Sequence, residues 1–115
     1  MHHPLTVPLQ AAGLRLTFSR LEVLSQFCLA GDAPSTGIEV YAGLRQRGVS
    51  MAYSTVFRML QVLSYAGLLL PAGTRGRHPC YRPSPAVLSA WQDLAPSQSP
   101  VVSDAGLSGP TPESA

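Results

Sequence analysis

The sequence has no lysine and little charge of either sign. Charged residues are 12% of the 115-residue chain, and all eight basic residues are arginine. Residues 1–83 hold these eight arginines against three carboxylates, a formal charge of +5, whereas residues 84–115 hold three carboxylates and no basic residue. A basic body with an acidic tail indicates an anionic partner for the body. The length supports one small domain with one core.

The chain also lacks the features of secreted and membrane proteins. Two cysteines, Cys28 and Cys80, are too few for a disulfide framework or a four-thiolate zinc site. The N-terminus has no basic start followed by an apolar run, so no signal peptide is expected. No apolar stretch approaches the roughly 20 residues that span a bilayer. These absences predict a cytoplasmic protein with free thiols and no membrane partner.

Catalytic and metal-ligating patterns are scarce as well. The three carboxylates of the body are not close in sequence, and no glycine-rich phosphate loop follows a strand. His78 and Cys80 would share a strand face, but structural zinc needs about four ligands. A packed Cys80 and a surface His78 are the favoured interpretation. The sequence therefore predicts a protein that is not an enzyme and holds no metal or cofactor.

Hydrophobic spacing predicts three helices. The first helix spans 17–32, with Thr17 as its N-cap. The second helix spans 35–48 and has a capping box formed by Thr36 and Glu39. The third spans 50–67 with Ser50 as N-cap. The predicted buried positions recur at helical spacing. They are Leu21, Leu24, Phe27 and Cys28 in the first helix, Ile38, Tyr41 and Leu44 in the second, and Val56, Met59, Leu60 and Leu63 in the third.

A hairpin is predicted after the helices. Leu68–Leu70 reads as a strand and Cys80–Arg82 as its return, with Pro79 restricting the return strand to an edge or a short pairing. With a further short helix over residues 5–12, the order predicts a mainly α winged helix-turn-helix of three to four helices and a hairpin wing. Residues 1–83 would form this domain. Residues 84–115, rich in serine and proline, are predicted to be mostly disordered with a short helix at 87–94, on which Leu88, Trp91 and Leu94 share a face.

This order of elements places a set of candidate DNA contacts. The second helix of such a motif enters the major groove. Arg58 would then fork onto a guanine edge or clamp a phosphate, and Phe57 would rest on a thymine methyl or a sugar. The remaining candidates are polar or basic: Ser54 and Gln61 on the helix, Arg75 and Arg77 on the wing, and Arg15 and Arg20 near the first helix. The alternative is a solvated domain whose arginines only keep it soluble.

Three separated stretches carry a family resemblance. "LQAAGLRLTFSRLEVL" (9–24), "EVYAGLRQRGVSMAYSTVFRMLQVLSYAGLL" (39–69) and "CYR" (80–82) resemble the DNA-binding domain of ferric uptake regulators. The resemblance covers about residues 8–82 and implies a transcriptional regulator of double-stranded DNA. It implies a minor-groove role for Arg15 and a phosphate contact for Arg20. Thr55, Val56, Phe57 and Arg58 match the family's T-V-Y-R, with phenylalanine replacing tyrosine and its hydroxyl.

The sequence departs from that family after Ser84. Family members continue into a domain that dimerises and holds zinc and iron, whereas this chain has no CxxC pair and no histidine cluster. Pro34 and Arg82 also stand where many members have metal ligands. The expectation is a DNA-binding half without metal sensing, acting as a homodimer or as a heterodimer with a full-length member. Two alternatives stay open: a protein-interaction module using Phe57 and leucine-rich helix faces, and a truncated gene product.

Overall fold

A computed structural model describes residues 3–94 as five helices and one small sheet. The predicted disorder beyond residue 94 lies outside the described residues. The elements are α1 (Thr6–Ala11), α2 (Phe18–Leu29), β1 (Ser35–Thr36), α3 (Gly37–Gln46), α4 (Tyr53–Tyr65), β2 (Leu69–Arg75), β3 (His78–Pro83) and α5 (Pro85–Leu94). This order confirms the predicted winged helix-turn-helix. None of the helices within residues 3–94 is long and apolar enough to cross a membrane.

The core is formed by the inner faces of α2, α3 and α4 together with apolar residues of α1, β2 and α5. Phe27 is the largest fully buried side chain, and its ring meets Tyr81 of β3 edge-on at 6.5 Å between centroids. On α4 all four predicted residues are buried. On α2, Leu24, Phe27 and Cys28 are buried as predicted, but Leu21 is only half-buried and Val23 takes its place. The helical period therefore located the inward faces of both helices, with the exchange of Leu21 for Val23 as the difference.

The start of α3 shows both a correct and a wrong prediction. The capping box is confirmed, because the Thr36 hydroxyl accepts from the Glu39 amide at 3.1 Å and the Thr36 amide donates to the Glu39 carboxylate at 2.9 Å. Ile38, predicted to be inside, is 41% exposed. Leu44 is buried as predicted, and Val40, one helical turn before it, is buried in place of Ile38. Residues 35–36 form β1 rather than helix, because they pair with β3.

The sheet has the strand order β1-β3-β2, all antiparallel. Pro79 was predicted to restrict its strand to an edge or a short pairing. Strand β3 lies in the middle of the sheet, and its pairing with β1 is short, two residues on each strand. Pro79 is tolerated because β1 pairs only with Cys80 and Tyr81, so no bond from β1 needs the amide that proline lacks. Pro79 faces Thr74 of β2. We call the tip of this β2–β3 hairpin, residues 71–79, the wing.

Helix α4 begins later than predicted. Ala52, with extended backbone angles, is its N-cap and makes no side-chain capping bond. Ser50, the predicted N-cap, lies two residues earlier in the connection to α3. A serine near the start of a helix therefore does not by itself determine the first helical residue. As a result Tyr53 is the first residue of α4.

Helix α5 packs against the body. Val87 is fully buried in the core, and its amide donates to the Ser84 hydroxyl at 3.3 Å. Of the predicted face, Leu88 and Trp91 are half-buried. The Trp91 ring lies 6.5 Å from that of His3, ahead of α1. The predicted short helix is thus present, two residues longer at its start, while the division of the chain at residue 84 stays a prediction.

Candidate nucleic-acid interface

The side of α4 that faces away from the core carries four of the predicted contact residues. Ser54, Phe57, Arg58 and Gln61 are all exposed, and we call these four the outer face of α4. Thr55 is half-buried beside them. Among residues 3–94, Arg58 has no salt bridge. The outer face therefore presents an unpaired guanidinium beside an aromatic ring and two short polar side chains.

Close packing between α3 and α4 fixes the ring of Phe57. A Cβ atom added to Gly37 of α3 would lie 3.1 Å from Cε1 of Phe57 and 2.8 Å from Cδ1 of Leu60, so any larger residue there would displace these side chains. Phe57 is 37% exposed and keeps one side for a ligand. The ring is thus held against α3 while part of it faces solvent.

Phe57 belongs to an aromatic cluster with Tyr53 and Tyr41. The ring centroids of Tyr53 and Phe57 are 4.5 Å apart and those of Tyr41 and Tyr53 are 5.2 Å apart, both pairs edge to face. Arg45 lies over Tyr41 at 5.7 Å and donates to its hydroxyl at 3.3 Å. Tyr53 was not among the predicted contact residues. The spacing of two aromatic residues four apart was the available signal, because such residues share a helix face.

The two wing arginines have different surroundings. Arg75 forms an ion pair with Glu39 of α3 and also donates to the Pro34 carbonyl oxygen at 3.3 Å. Arg77 is exposed and has no salt bridge within the described part of the chain. Arg75 therefore ties the wing to the start of α3, whereas Arg77 is the wing guanidinium that is free to meet a ligand.

The pKa of the Glu39 carboxyl group lies below its ordinary 4.5. The largest cause is the hydrogen bond from the Thr36 amide, followed by the bond from Arg75. Both partners favour the ionised form. Glu39 thus caps α3 and anchors the wing with one charge.

Glu39→Gln should destabilise the fold in a pH-dependent way. The glutamine oxygen still accepts from Thr36, but the charge facing Arg75 is lost, so we expect about 0.5–1 kcal/mol less unfolding free energy near neutral pH. A depressed folded-state pKa gives a contribution that is present above the ordinary pKa of 4.5 and lost as the pH falls through the folded value. Urea unfolding of both proteins should show the difference shrinking below about pH 4.5. A difference that stays constant with pH would contradict the role of the ionised carboxylate.

The side chains of Arg20 and Arg15 differ in their contacts with the rest of the domain. The Arg20 guanidinium donates to the Arg15 carbonyl oxygen at 2.9 Å, and the Arg20 amide donates to the N-cap hydroxyl of Thr17 at 3.2 Å. Arg20 therefore braces the connection before α2. The Arg15 side chain is exposed. Its neighbour Leu14 lines the same groove as Gln61, which places this connection beside α4.

That groove has a volume of about 660 Å³ and lies along the C-terminal half of α4. Its lining is mostly apolar and comes from Ala12, Leu14, Gln61, Val62, Tyr65 and Ala66. Tyr65 is 96% exposed. The groove meets the outer face of α4 at Gln61.

The donor groups of residues 3–94 do not fit a metal site. No three His, Cys, Asp or Glu side chains of this region come together. Burial raises the pKa of the Cys28 thiol to about 12, which disfavours the thiolate that binds metals. Cys80 is also buried, and His78 is exposed on the wing.

The fold and this face define a winged-helix domain. The second helix of its helix-turn-helix, α4, presents an exposed face. The model of the ferric uptake regulator family matches residues 11–86. The chain belongs to the ferric uptake regulator family. Members of this family are transcription regulators rather than enzymes.

Solved structures show the same fold. The ferric uptake regulator of Pseudomonas aeruginosa with manganese is 27% identical over 67% of this chain, with a TM-score of 0.62. The chain spans 57% of the length of that protein. The Vibrio cholerae regulator, described with a rearrangement of its DNA-binding domains, is 20% identical and also has a TM-score of 0.62, covering 90% of this chain and 96% of that one. FurB, a zinc uptake regulator of Mycobacterium tuberculosis, is 22% identical over 84% of this chain and 95% of its own, with a TM-score of 0.51. No curated protein sequence gave a match.

Proposed function

We propose that the chain is a transcription regulator that binds double-stranded DNA in the cytoplasm, with α4 in the major groove. The observation that carries this proposal is the outer face of α4, where the exposed Arg58 has no ion pair within residues 3–94 and stands beside the half-exposed Phe57. The opposite face of α4 is buried in the core, so the helix can meet a duplex only with its exposed side. Membership of the ferric uptake regulator family supports the same role.

The wing would contact the DNA backbone beside the groove. Arg77 is the residue of the wing suited to a phosphate, because Arg75 is engaged by Glu39. Arg15 would reach a neighbouring phosphate or the minor groove from the connection beside Gln61. Arg20 contributes by shaping that connection, since its guanidinium bonds to the Arg15 carbonyl. Three separate elements would thus hold one duplex.

Few contacts of this kind predict weak binding that depends strongly on salt. If Arg15, Arg58 and Arg77 each neutralise one phosphate, the logarithm of the binding constant should fall with that of the salt concentration with a slope of about −2.7. Fluorescence anisotropy with a short labelled duplex, between about 50 and 200 mM salt, measures the slope. Raising the salt over this range should weaken binding by about 40-fold. No binding at the lowest salt, or a slope near zero, would contradict the proposal.

We also propose that this domain does not sense a metal itself. The support is the separation of its histidine, cysteine and carboxylate side chains within residues 3–94. Elemental analysis of the purified protein checks this, since stoichiometric zinc or iron would contradict it. Regulation would then depend on a partner, either a second copy or a full-length family member.

A second candidate function is protein interaction. The groove beside Tyr65 favours it, because an apolar surface with a 96% exposed aromatic residue suits a protein partner. Self-association in sedimentation experiments, together with no DNA binding at low salt, would favour this function over the first. A monomer that binds the duplex would favour DNA binding.

A further inference from the structure

Tyr53 carries the free polar group of the aromatic cluster. The Tyr41 hydroxyl accepts a hydrogen bond from Arg45, and Phe57 has no hydroxyl. Tyr53 is 38% exposed, and within residues 3–94 its hydroxyl has no hydrogen-bond partner. An exposed phenol beside the outer face of α4 is a donor that the fold itself does not use.

The ring of Tyr53 is held in place from two sides. Tyr41 of α3 meets it at 84° and Phe57 of α4 meets it at 86°, with centroids 5.2 and 4.5 Å away. Such edge-to-face contacts favour one ring orientation. A donor that is already oriented loses little side-chain entropy when it binds, so its hydrogen bond contributes more to affinity.

Tyr53 is also well positioned along and around α4. It is the first residue of the helix, and the N-terminal residues of a recognition helix lie nearest the DNA. Its contact with Tyr41 places it on the side of α4 that faces α3. Ser54 and Arg58 lie farther round the helix, opposite the core. With α4 in the major groove, the side of α4 that faces α3 would lie at the edge of the groove. The phosphates of the DNA backbone run along this edge.

We propose that the Tyr53 hydroxyl donates a hydrogen bond to a backbone phosphate oxygen of the bound duplex. This inference rests on the proposed function. Arg45, which is exposed and held on Tyr41, adds positive charge near the same phosphate. Hydrogen bonds to a charged acceptor are stronger than those between neutral groups, so the contact should have a measurable effect.

Tyr53→Phe tests the contact, because it removes the hydroxyl and keeps the ring between Tyr41 and Phe57. We expect the variant to bind a labelled duplex about tenfold more weakly. The factor should be similar for duplexes of different sequence, because a phosphate contact does not read the bases. The melting midpoint of the protein should be unchanged. Tyr65→Phe is the matched control. It removes an exposed hydroxyl from the same helix, twelve residues and about 18 Å farther along, and should leave affinity unchanged.

Duplexes that carry one neutral methylphosphonate in place of a phosphate give a second readout. At the contacted position the wild-type protein should lose about tenfold in affinity, and Tyr53→Phe should lose nothing further. Equal losses for both proteins at every position would overturn the inference, as would Tyr53→Phe binding as tightly as wild type. If Arg58→Ala still weakened binding in those cases, the proposed function would stand. A wild-type protein that bound no duplex would overturn the proposed function itself.

Discussion

Arg58→Ala should weaken duplex binding by about 5- to 150-fold, which corresponds to about 1–3 kcal/mol. The reason is that Arg58 is exposed on the outer face of α4 and has no salt bridge within residues 3–94, so its guanidinium is available to a guanine edge or a phosphate. The fold should not change, since no internal ion pair is removed. Anisotropy titrations at constant low salt measure the affinity, and circular dichroism checks the fold.

Arg82→Ala is the charge-matched control. Arg82 is exposed on β3 near Asp32 and Leu88, away from the outer face of α4, and it too has no salt bridge among the described residues. Loss of its charge should weaken binding only by reducing the long-range electrostatic attraction between the domain and the duplex. Equal effects of the two substitutions would show that binding does not use α4 specifically.

Phe27→Ala should have the largest effect on stability. Phe27 is the largest fully buried side chain and packs against Tyr81 across the interface of α2 with the sheet. Removing a buried phenylalanine costs about 3–5 kcal/mol, because apolar contacts are lost and a cavity remains. Small domains are stable by only about 5–15 kcal/mol, so a substantial part of the population should unfold on mild warming. Urea and thermal unfolding followed by circular dichroism measure the loss.

Phe18→Ala on the same helix is the matched control, because it removes the same kind of side chain from an exposed position. Phe18 is 63% exposed at the first residue of α2, so its removal should change the unfolding free energy by about 0.5 kcal/mol or less. A large loss for this variant, or a small one for Phe27→Ala, would contradict the described core.

The parts of the fold that could be predicted from sequence are those set by local patterns. The period of Val56, Met59, Leu60 and Leu63 located the buried face of α4, and the spacing of Thr36 and Glu39 identified the capping box. Both are interactions within one or two helical turns. They are decided by residues that are neighbours along the chain.

The features that could not be predicted depend on residues far apart in sequence. The pairing of Ser35 with Tyr81 creates β1, and nothing near Ser35 indicates it. The ion pair of Arg75 with Glu39 spans 36 positions, so the sequence could not show that one wing arginine is engaged and the other free. Tyr53 became a candidate only when its packing between Tyr41 and Phe57 was known.

Selection of bound duplexes from a random pool tests the central claim most directly, because it measures binding and sequence preference together. The wild-type protein should enrich a short common sequence at low salt. Arg58→Ala, carried through the same selection, should enrich it weakly or lose the preference at one base pair. A wild-type pool that stays random, or the same enrichment with and without Arg58, would contradict the assignment of α4 as the DNA-reading helix.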